Sequence, residues 1–595
     1  MKKCLIVLWL IGITSFAHGA SGNAYLGRFM AYLEWSQHLP EHPDEAFFAF
    51  ISEDTPLANK LRNRWLYHLA QNKDWANYLK YYKPTTDVNL QCFKNLANYN
   101  QGNTVAAMQD TRAIWLSGNS QPPGCNRLLD MYVKSDQFNE NLITQRITLA
   151  LDKRNLPLVR YLLKLYKKPR LQDQDLLMSI HQSPGRILQL TPGGLHGEFY
   201  LYGLKRMVSI NMDQALKYWQ NPKTKKMLST AQQQAFLAHL TLYKAMRNHE
   251  DTAFWFARIQ PAFYDSTLLD WQIRFALKRG QWRQVEKLIQ HSPEKDNPCW
   301  QYWLARAMEK QGRQGEAREI YKTLAQTRHY YGFLASLRIH KTPNFQNEKA
   351  ITDLNLLKPY KPFTDNIKSL YHSKQTLQAS RLLNDFASEL PKSDKSALAF
   401  WVANTLQWHE KSLALSNNEE LNNQLSLRFP LAYHSTITQH AQNHQVPQEL
   451  IYAIIRQESS FREDVVSVAG ARGLMQLMPS TAVVVAKLAK IPYGDKAQLF
   501  LSQKNISIGV AYLATLAKRF NRHPLLIVAA YNAGPRQVNY WLKNHPPKEI
   551  DVWIETLPWH ETRNYLKNVI SFYAVYQFRM QKKMDLSAFM RPLID

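Results

Sequence analysis

The sequence predicts an all-α protein in three parts: an N-terminal superhelix, a small helical linker domain and a C-terminal α domain. Three observations support this fold class. Apolar residues recur at helical spacing from about Ser21 to Lys341, with almost no alternation of period two. Hairpin-like units repeat within that stretch. Turn-rich breaks near Lys341–Asn344 and Phe429–Pro430 separate the three parts.

The N-terminal part, residues 20–345, carries the repeats. Asp270–Gln290 aligns with Tyr302–Gln326, so that Gly280 precedes Gly312 by 32 residues. An aromatic residue, a small alanine, a glycine turn and a second amphipathic helix resemble tetratricopeptide-like hairpins. Each hairpin leaves an apolar face uncovered, so neighbouring hairpins are expected to stack into a solenoid. The aromatic residues at these spacings are interpreted as core.

The linker domain is predicted over residues 346–428 and the C-terminal domain over 429–595. The linker begins after the turn at Lys341–Asn344 and is again helical from Asn366 to Leu427. A chain of 595 residues is too long for one core, which fits two to four domains.

The composition describes a packed protein with an anionic partner. The chain is 45% hydrophobic and 12% aromatic, and its formal net charge is +27. Such a surplus fits nucleic acid, a membrane surface or an acidic polymer. A role in solubility alone is the alternative explanation of the charge.

The N-terminal sequence narrows the choice of anionic partner. Two lysines precede an apolar run from Leu5 to Ile13, and small residues surround His18 in Ala17-His18-Gly19. This pattern predicts a cleaved signal peptide over residues 1–19, and no later run is long enough to span a bilayer. We therefore expect an exported protein, which disfavours nucleic acid as the partner.

Export also bears on the cysteines. An oxidising compartment favours a disulfide between Cys92 and Cys125, which leaves Cys299 free. Three buried reduced thiols are the alternative.

A carboxylate occupies a position where the helical pattern predicts an apolar residue. Leu450, Ile451, Ile454 and Ile455 form one apolar stripe, and the next position on that stripe is Glu458. Desolvation there would raise the pKa of the carboxyl group and favour a general acid. A solvated glutamate, or one paired with a neighbouring arginine, is the structural alternative.

Three further motifs lie C-terminal to Glu458. Gly470–Gln476 is a glycine-punctuated turn, Tyr531–Pro535 ends an apolar helix, and Glu561 begins the last long helix. Each also has an ordinary structural explanation: a helix–helix turn, a helix C-cap, and a first-turn carboxylate favoured by the helix dipole.

Together these motifs resemble the catalytic domain of soluble lytic transglycosylases, the goose-lysozyme-like enzymes that cleave peptidoglycan. The resemblance implies a lysozyme-like α domain from Phe429 onward and a ring- or U-shaped superhelix before it. The motifs that carry it are Glu458-Ser459, Gly473-Leu474-Met475-Gln476, Ala530-Tyr531-Asn532-Ala533-Gly534-Pro535, and Glu561-Thr562-Arg563 with Tyr565 and Asn568.

The resemblance also implies site residues. The catalytic acid falls on Glu458. The substrate-binding residues implied are Ser467, Gln476, Met478, Tyr531, Asn532 and Glu561.

The chain departs from the family pattern at two places. Arg462-Glu463-Asp464 stands where many relatives have Asn-Pro, so Glu463 or Asp464 is a candidate second carboxylate, although helix geometry points both away from the stripe. His560 replaces a common serine before Glu561, which weakens the helix cap.

The implied reaction is cleavage of the MurNAc-GlcNAc β-1,4 bond of peptidoglycan with formation of a 1,6-anhydro-MurNAc end. A single residue that acts first as acid and then as base suffices, because the sugar's own C6 hydroxyl attacks C1. No metal or cofactor is implied. The expected partners are peptidoglycan strands and proteins of cell-wall synthesis or degradation, in the periplasm. A hydrolytic muramidase and a murein-binding scaffold are the alternatives; a nucleic-acid binder is disfavoured.

Overall fold

The computed structural model describes residues 24–544 and 549–593. The predicted signal peptide, residues 1–19, lies outside them. Within the described residues no strand forms, and β-pairing is limited to isolated bridges that pair Arg472 with Val466 and with Leu477. The all-α fold class is therefore confirmed. No helix in this part of the chain is long and apolar enough to cross a membrane.

Two compact units divide the chain. The first holds the residues up to Tyr243 together with Ala253–Phe263, and the second holds Lys244–Thr252 together with the residues from Tyr264 onward. The second unit thus contains the last predicted repeats as well as the linker and the C-terminal region. The boundaries predicted at 345/346 and 428/429 lie inside it and stay predictions.

The helices up to the unit boundary connect through short polar turns. Their bounds are α1 Ala24–Gln37, α2 Glu45–Ser52, α3 Pro56–Gln71, α4 Trp75–Tyr81, α5 Val88–Asn100, α6 Thr104–Trp115, α7 Asn126–Val133, α8 Glu140–Asp152, α9 Leu156–Leu162, α10 Leu171–Gln182, α11 His196–Ile210, α12 Met212–Gln220, α13 Pro222–Met227, α14 Thr230–Met246 and α15 Thr252–Phe256. Short 3-10 helices lie at Pro123–Cys125, Pro184–Gln189 and Pro261–Phe263.

The second unit holds the remaining helices. Their bounds are α16 Ser266–Lys278, α17 Trp282–Gln290, α18 Pro298–Lys310, α19 Gln314–Leu324, α20 Tyr330–Arg338, α21 Lys361–His372, α22 Thr376–Ala387, α23 Lys392–Asn404, α24 His409–Leu415, α25 Leu425–Arg428, α26 His434–His444, α27 Gln448–Glu458, α28 Pro479–Leu488, α29 Ser502–Arg519, α30 Pro524–Ala533, α31 Pro535–Asn544, α32 Ile550–Glu555, α33 His560–Arg579 and α34 Ser587–Met590. Two 3-10 helices lie at Leu354–Tyr360 and Lys496–Phe500.

The predicted repeats correspond to helical hairpins. Asp270–Gln290 covers most of α16 and all of α17, and Tyr302–Gln326 covers most of α18 and all of α19. Gly280 and Gly312 occupy the left-handed region, with φ of 66° and 86°. Glycine takes this conformation without steric cost, so both residues let the chain turn from one helix into the next.

The cysteines of the predicted pair are joined. Cys92 in α5 and Cys125 in the following 3-10 helix form a disulfide between positions 33 residues apart. Cys299 is free and partly buried. Burial raises the pKa of its thiol to about 12, which keeps the thiol protonated and unreactive.

Candidate active site

Glu458 is the last residue of α27. Leu450, Ile451, Ile454 and Ile455, the stripe that precedes it, are at most 2% exposed, so the helix is anchored in the core of the second unit. Beyond its end the chain turns sharply.

That turn contains two consecutive left-handed residues. Ser460 and Phe461 have φ of 52° and 69°, a conformation that side chains other than glycine rarely adopt. Phe461 returns to the core and packs against Tyr452, with ring centroids 6.5 Å apart. The turn therefore fixes where the helix ends and leaves Glu458 partly buried at that end.

Glu458 has a neutral hydrogen-bond partner. The hydroxyl of Tyr565, from α33, donates to Glu458 Oε1 at 2.6 Å. Burial raises the pKa of Glu458 from its ordinary 4.5 to about 7; the Tyr565 hydrogen bond opposes this rise, and the negative charge of Glu561 adds to it. Across residues 24–544 and 549–593, no ion pair joins Glu458 to an arginine or lysine. Glu458 can therefore hold a proton near neutral pH.

The loop of Gly473 to Gln476 is held rigidly. Gly473 has φ of 74°, and a Cβ there would lie 2.1 Å from the carbonyl oxygen of Leu499. Buried Asn505 accepts from the Met475 amide at 2.8 Å and donates to the Leu499 and Arg472 carbonyls at 2.8 and 3.0 Å. Only glycine fits at 473, and one side chain satisfies the polar backbone around it.

Two predicted site residues help to hold this loop. Tyr531 donates its hydroxyl to the Met475 carbonyl at 2.7 Å. Gln476 donates its amide NH₂ to the Gly473 and Val465 carbonyls at 2.9 and 3.2 Å. The amide oxygen of Gln476 and the ring of Tyr531 are the parts left for a ligand.

Ser467 and Met478 lie on either side of the loop. Ser467 Oγ accepts from the Ala471 amide at 3.0 Å, so its hydroxyl hydrogen can still be donated. Met478 immediately precedes α28 and is 38% exposed. Each can therefore offer a contact to a ligand, one polar and one apolar.

Comparison with known proteins finds relatives along most of the chain. The model of the transglycosylase SLT domain matches residues 435–554, which include Glu458 and the loop. The soluble lytic murein transglycosylase of Escherichia coli K12 is 28% identical over 577 residues, covering 94% of this chain and 88% of the relative. The Salmonella typhimurium relative gives the same identity and coverage over 572 residues.

Solved structures agree across almost the whole chain. An inactive mutant of the lytic transglycosylase Slt from Pseudomonas aeruginosa superposes with a TM-score of 0.79 at 28% identity, covering 99% of this chain and 95% of that chain. The 70 kDa soluble lytic transglycosylase of Escherichia coli gives 0.70 at 26% identity, covering 99% and 98%.

This chain carries a transglycosylase SLT domain and is similar to soluble lytic murein transglycosylases over almost its whole length. Its enzyme class is peptidoglycan lytic transglycosylase. Within the described residues, no group of three or more His, Cys, Asp or Glu side chains is arranged to hold a metal ion.

Asn532 and Glu561 are both associated with the first turn of α33 in this transglycosylase. Asn532 Oδ1 accepts from the Thr562 hydroxyl at 2.8 Å, which ties the end of α30 to the first turn of α33. Glu561 is exposed, and its charge reaches Glu458. The N-cap of α33 is Trp559, one residue before the predicted position at His560, and it provides no side-chain cap bond.

The candidate second carboxylates have other partners. Glu463 accepts hydrogen bonds from the hydroxyls of Tyr433, at 2.6 Å, and of Ser502. Asp464 pairs with Arg462 at 2.8 Å. Both are exposed, and neither contacts Glu458 among the described residues. The hypothesis that one of them acts with Glu458 thus gains no support from the geometry.

Tyr565 lies within one of the sequence motifs, but the sequence alone indicates no role for it. The missed signal was local: Tyr565 lies four residues after Glu561, so the two share one face of α33. Asn505, which organises the loop, was also missed because a buried asparagine on an amphipathic helix has no distinctive spacing.

The same unit also holds a fully buried glutamate, Glu555. Glu555, in α32, accepts from Lys567 at 2.8 Å, Arg274 at 3.2 Å and the Tyr331 hydroxyl at 2.7 Å. Burial alone would raise the pKa of Glu555, but the charges of Lys567 and Arg274 outweigh it and hold the pKa well below the usual range. Lys567 belongs to α33, so this network anchors the helix that carries Tyr565.

Proposed function

We propose that Glu458 is the single general acid and base of this transglycosylase. The observation that carries the assignment is a partly buried carboxyl group with a pKa near 7, whose hydrogen-bond partner is the neutral hydroxyl of Tyr565. A general acid works best when its pKa lies near the working pH.

The first step transfers a proton to the sugar. Protonated Glu458 donates to the oxygen between N-acetylmuramic acid and N-acetylglucosamine, and the bond from that oxygen to C1 of the muramic ring breaks. The substrate's acetamido group stabilises the positive charge that develops at C1. The Ser467 hydroxyl, which has a hydrogen left to donate, holds that ring or its acetyl group.

The second step returns the proton. Glu458, now a carboxylate, takes a proton from the C6 hydroxyl of the muramic ring, and the oxygen closes on C1. This yields the 1,6-anhydro end without consuming water. Tyr565 donates to the carboxylate between the two steps, and its pKa, raised well above 10 first of all by burial, keeps the hydroxyl protonated.

The remaining site residues bind substrate in this proposal. Gln476 offers its amide oxygen, Met478 an apolar wall and Tyr531 its ring. Asn532 and Glu561 line the side formed by α30 and α33. These roles follow from the free atoms that each residue has after its internal hydrogen bonds are counted.

The cellular setting agrees with this function. We expect the signal peptide over residues 1–19 to direct the enzyme to the periplasm, where peptidoglycan lies. The carboxylates of peptidoglycan suit a chain with a net charge of +27, because opposite charges concentrate a substrate at the surface. Binding of cell-wall synthesis or degradation proteins stays a prediction.

The test replaces Glu458 by glutamine and measures the muropeptides released from purified peptidoglycan by mass spectrometry. Glu458→Gln should lower turnover by about 10³-fold, the scale of general acid–base catalysis. The matched control, Glu463→Gln, removes an exposed carboxylate and should stay within about twofold of wild type.

The mass of the products decides the reaction. Anhydro ends weigh one water less than hydrated ends, so hydrated products would mean a muramidase. Near-normal release of products by Glu458→Gln would refute the assignment of the acid. If the wild-type protein binds murein but releases no products, a murein-binding scaffold would be the function that remains.

A further inference from the structure

A polar cavity lies in the first unit, among α8, α11 and α14. It opens to solvent, and the empty space within it, solvent at its mouth included, is about 570 Å³. Leu151, Leu201 and Tyr202 form its buried floor, and polar side chains surround them. An apolar floor with a few convergent polar groups is typical of a ligand site.

Polar contacts fix the three helices around the cavity. Lys205 donates to Asp152 Oδ1 at 2.8 Å, which joins α11 to α8. The His239 ring contacts the Lys205 carbonyl at 3.2 Å, which joins α14 to α11. The cavity is therefore preformed by three helices of the stacked array.

Two arginines give the cavity its unpaired charge. Arg154 and Arg206 both line it, and neither forms an ion pair with a carboxylate among the described residues. Arg206 Nε donates to the His181 carbonyl at 2.6 Å, which orients the rest of its guanidinium group. Lys205, by contrast, is neutralised by Asp152.

The charges of the two guanidinium groups act on the same two side chains. Burial lowers the pKa of His181, and the charges of Arg206 and Arg154 lower it further. Burial raises the pKa of Tyr202, and the same two arginines oppose that rise. The Tyr202 hydroxyl and the His181 ring are 2.6 Å apart, and Tyr202 lines the cavity together with both arginines.

Among the described residues, neither acidic side chain of the cavity, Glu198 or Asp152, pairs with Arg154 or Arg206. Glu198 also lines the cavity, where it accepts from Gln232 at 2.8 Å, and burial raises its pKa. Burial lowers the pKa of His239 to about 4, so this ring is neutral at pH 7. The lining thus keeps two unpaired cations, because the guanidinium groups of Arg154 and Arg206 stay protonated in proteins.

We propose that this cavity binds the carboxylates of peptidoglycan stem peptides through Arg154 and Arg206, with Tyr202 at its floor. Guanidinium groups match carboxylates because their N–H donors fit the two oxygens. The choice of stem peptide rests on the proposed function, since murein is the acidic polymer on which such an enzyme acts. The cavity would bind the peptides of murein, whereas Glu458 acts on the glycan.

The experiment uses the full-length chain carrying Glu458→Gln, so that no substrate is consumed. Calorimetry measures binding of the free stem peptide and of the same peptide with its carboxylates amidated. Arg154→Gln is the main variant because this side chain is exposed and makes no described hydrogen bond. Arg206→Gln is the second, with its fold checked by circular dichroism because of the contact to His181.

Each arginine variant should weaken binding of the free peptide about tenfold, the scale of one hydrogen bond to a charged group. Amidation of the peptide's carboxylates should weaken its binding to the chain with both arginines intact by at least the same factor. The matched control is Arg127→Gln, which removes the same charge from an exposed position outside the cavity and should change binding by less than about twofold.

Other outcomes overturn the proposal. No binding, equal binding of the amidated peptide, or equal losses in the Arg127 control would do so. Tighter binding of an acidic peptide made only of L-amino acids would assign the cavity to a protein tail instead. Turnover by the enzyme with intact Glu458 is measured separately, so failure of the cavity and failure of the catalytic assignment are distinguishable.

Discussion

Glu458 and Glu555 are two glutamates of the same unit whose pKa values move in opposite directions. Burial pushes both pKa values upward. Glu458 meets a neutral hydroxyl and a neighbouring negative charge, so the upward shift remains. Glu555 meets Lys567 and Arg274, and their charges reverse it. Burial alone therefore does not make a glutamate an acid catalyst. Its pKa stays raised only where no cationic partner is present.

Helix α33 supplies a hydrogen-bond partner to each of the two glutamates. Tyr565 contacts Glu458, and Lys567, two positions later, contacts Glu555. Successive positions of a helix point in different directions, so one helix supplies a neutral donor to the reactive carboxyl and a cation to the structural one. The ion network thereby positions the tyrosine that faces the candidate active site.

The largest expected effect comes from breaking the network. Glu555→Gln should lower the free energy of unfolding by about 3–5 kcal/mol, because Lys567 and Arg274 would stay buried without their counter-charge. Urea unfolding measures this. Glu316→Gln, at an exposed glutamate of the same unit, should cost less than about 0.5 kcal/mol. A loss at Glu555 no greater than that would show that the network contributes nothing.

Replacing Glu458 should change the free energy of unfolding in the opposite direction from replacing Glu555. The folded pKa of Glu458 lies above 4.5, so the protonated group stabilises the fold at low pH, and this contribution is lost as pH rises from about 4.5 to about 7. Glu458→Gln should therefore be more stable than wild type at pH 8, by at most about 3 kcal/mol. Urea unfolding at pH 5 and pH 8 measures the difference, and a variant less stable at pH 8 would contradict it.

Tyr565→Phe sharpens the comparison at the candidate active site. Loss of the hydroxyl removes a hydrogen bond to the charged form of Glu458, so its pKa should rise by about one unit. The alkaline limb of the activity–pH profile should move upward by the same amount. Tyr540→Phe, at an exposed tyrosine, is the control and should leave the limb in place. An unchanged limb in Tyr565→Phe would separate this contact from catalysis.

The smallest effect belongs to Glu561. Glu561→Gln removes a negative charge near Glu458, so the pKa of Glu458 should fall by about 0.3 unit. The alkaline limb should then move downward, opposite to Tyr565→Phe. Because Glu561 is exposed, the shift should shrink in high salt, which the same profiles at two ionic strengths would reveal.

The local features of this protein could be predicted from the sequence. The repeated glycines at 280 and 312 mark real hairpin turns, because left-handed backbone has a local signature. The position of Glu458 on an apolar stripe also follows from helical periodicity. The sequence motifs add the order of the loops around it.

Contacts between distant segments could not be predicted. Glu458 meets Tyr565 across 107 positions, and Glu555 meets Arg274 across 281. Periodicity shows which face of a helix is apolar but not which helix will cover it. The hydrogen bonds of Gln476 were hidden for a related reason: its NH₂ holds the loop in place, and only the folded loop reveals this.

The proton held by Glu458 has a consequence for inhibitor design. A drug that imitates the positive charge on the sugar would bind best to the ionised carboxyl, and hence above pH 7 or so. Turnover needs the opposite state at its outset. Potency of such compounds should therefore rise over the very range of pH in which the enzyme slows, and screens run only in acidic buffer would overlook them.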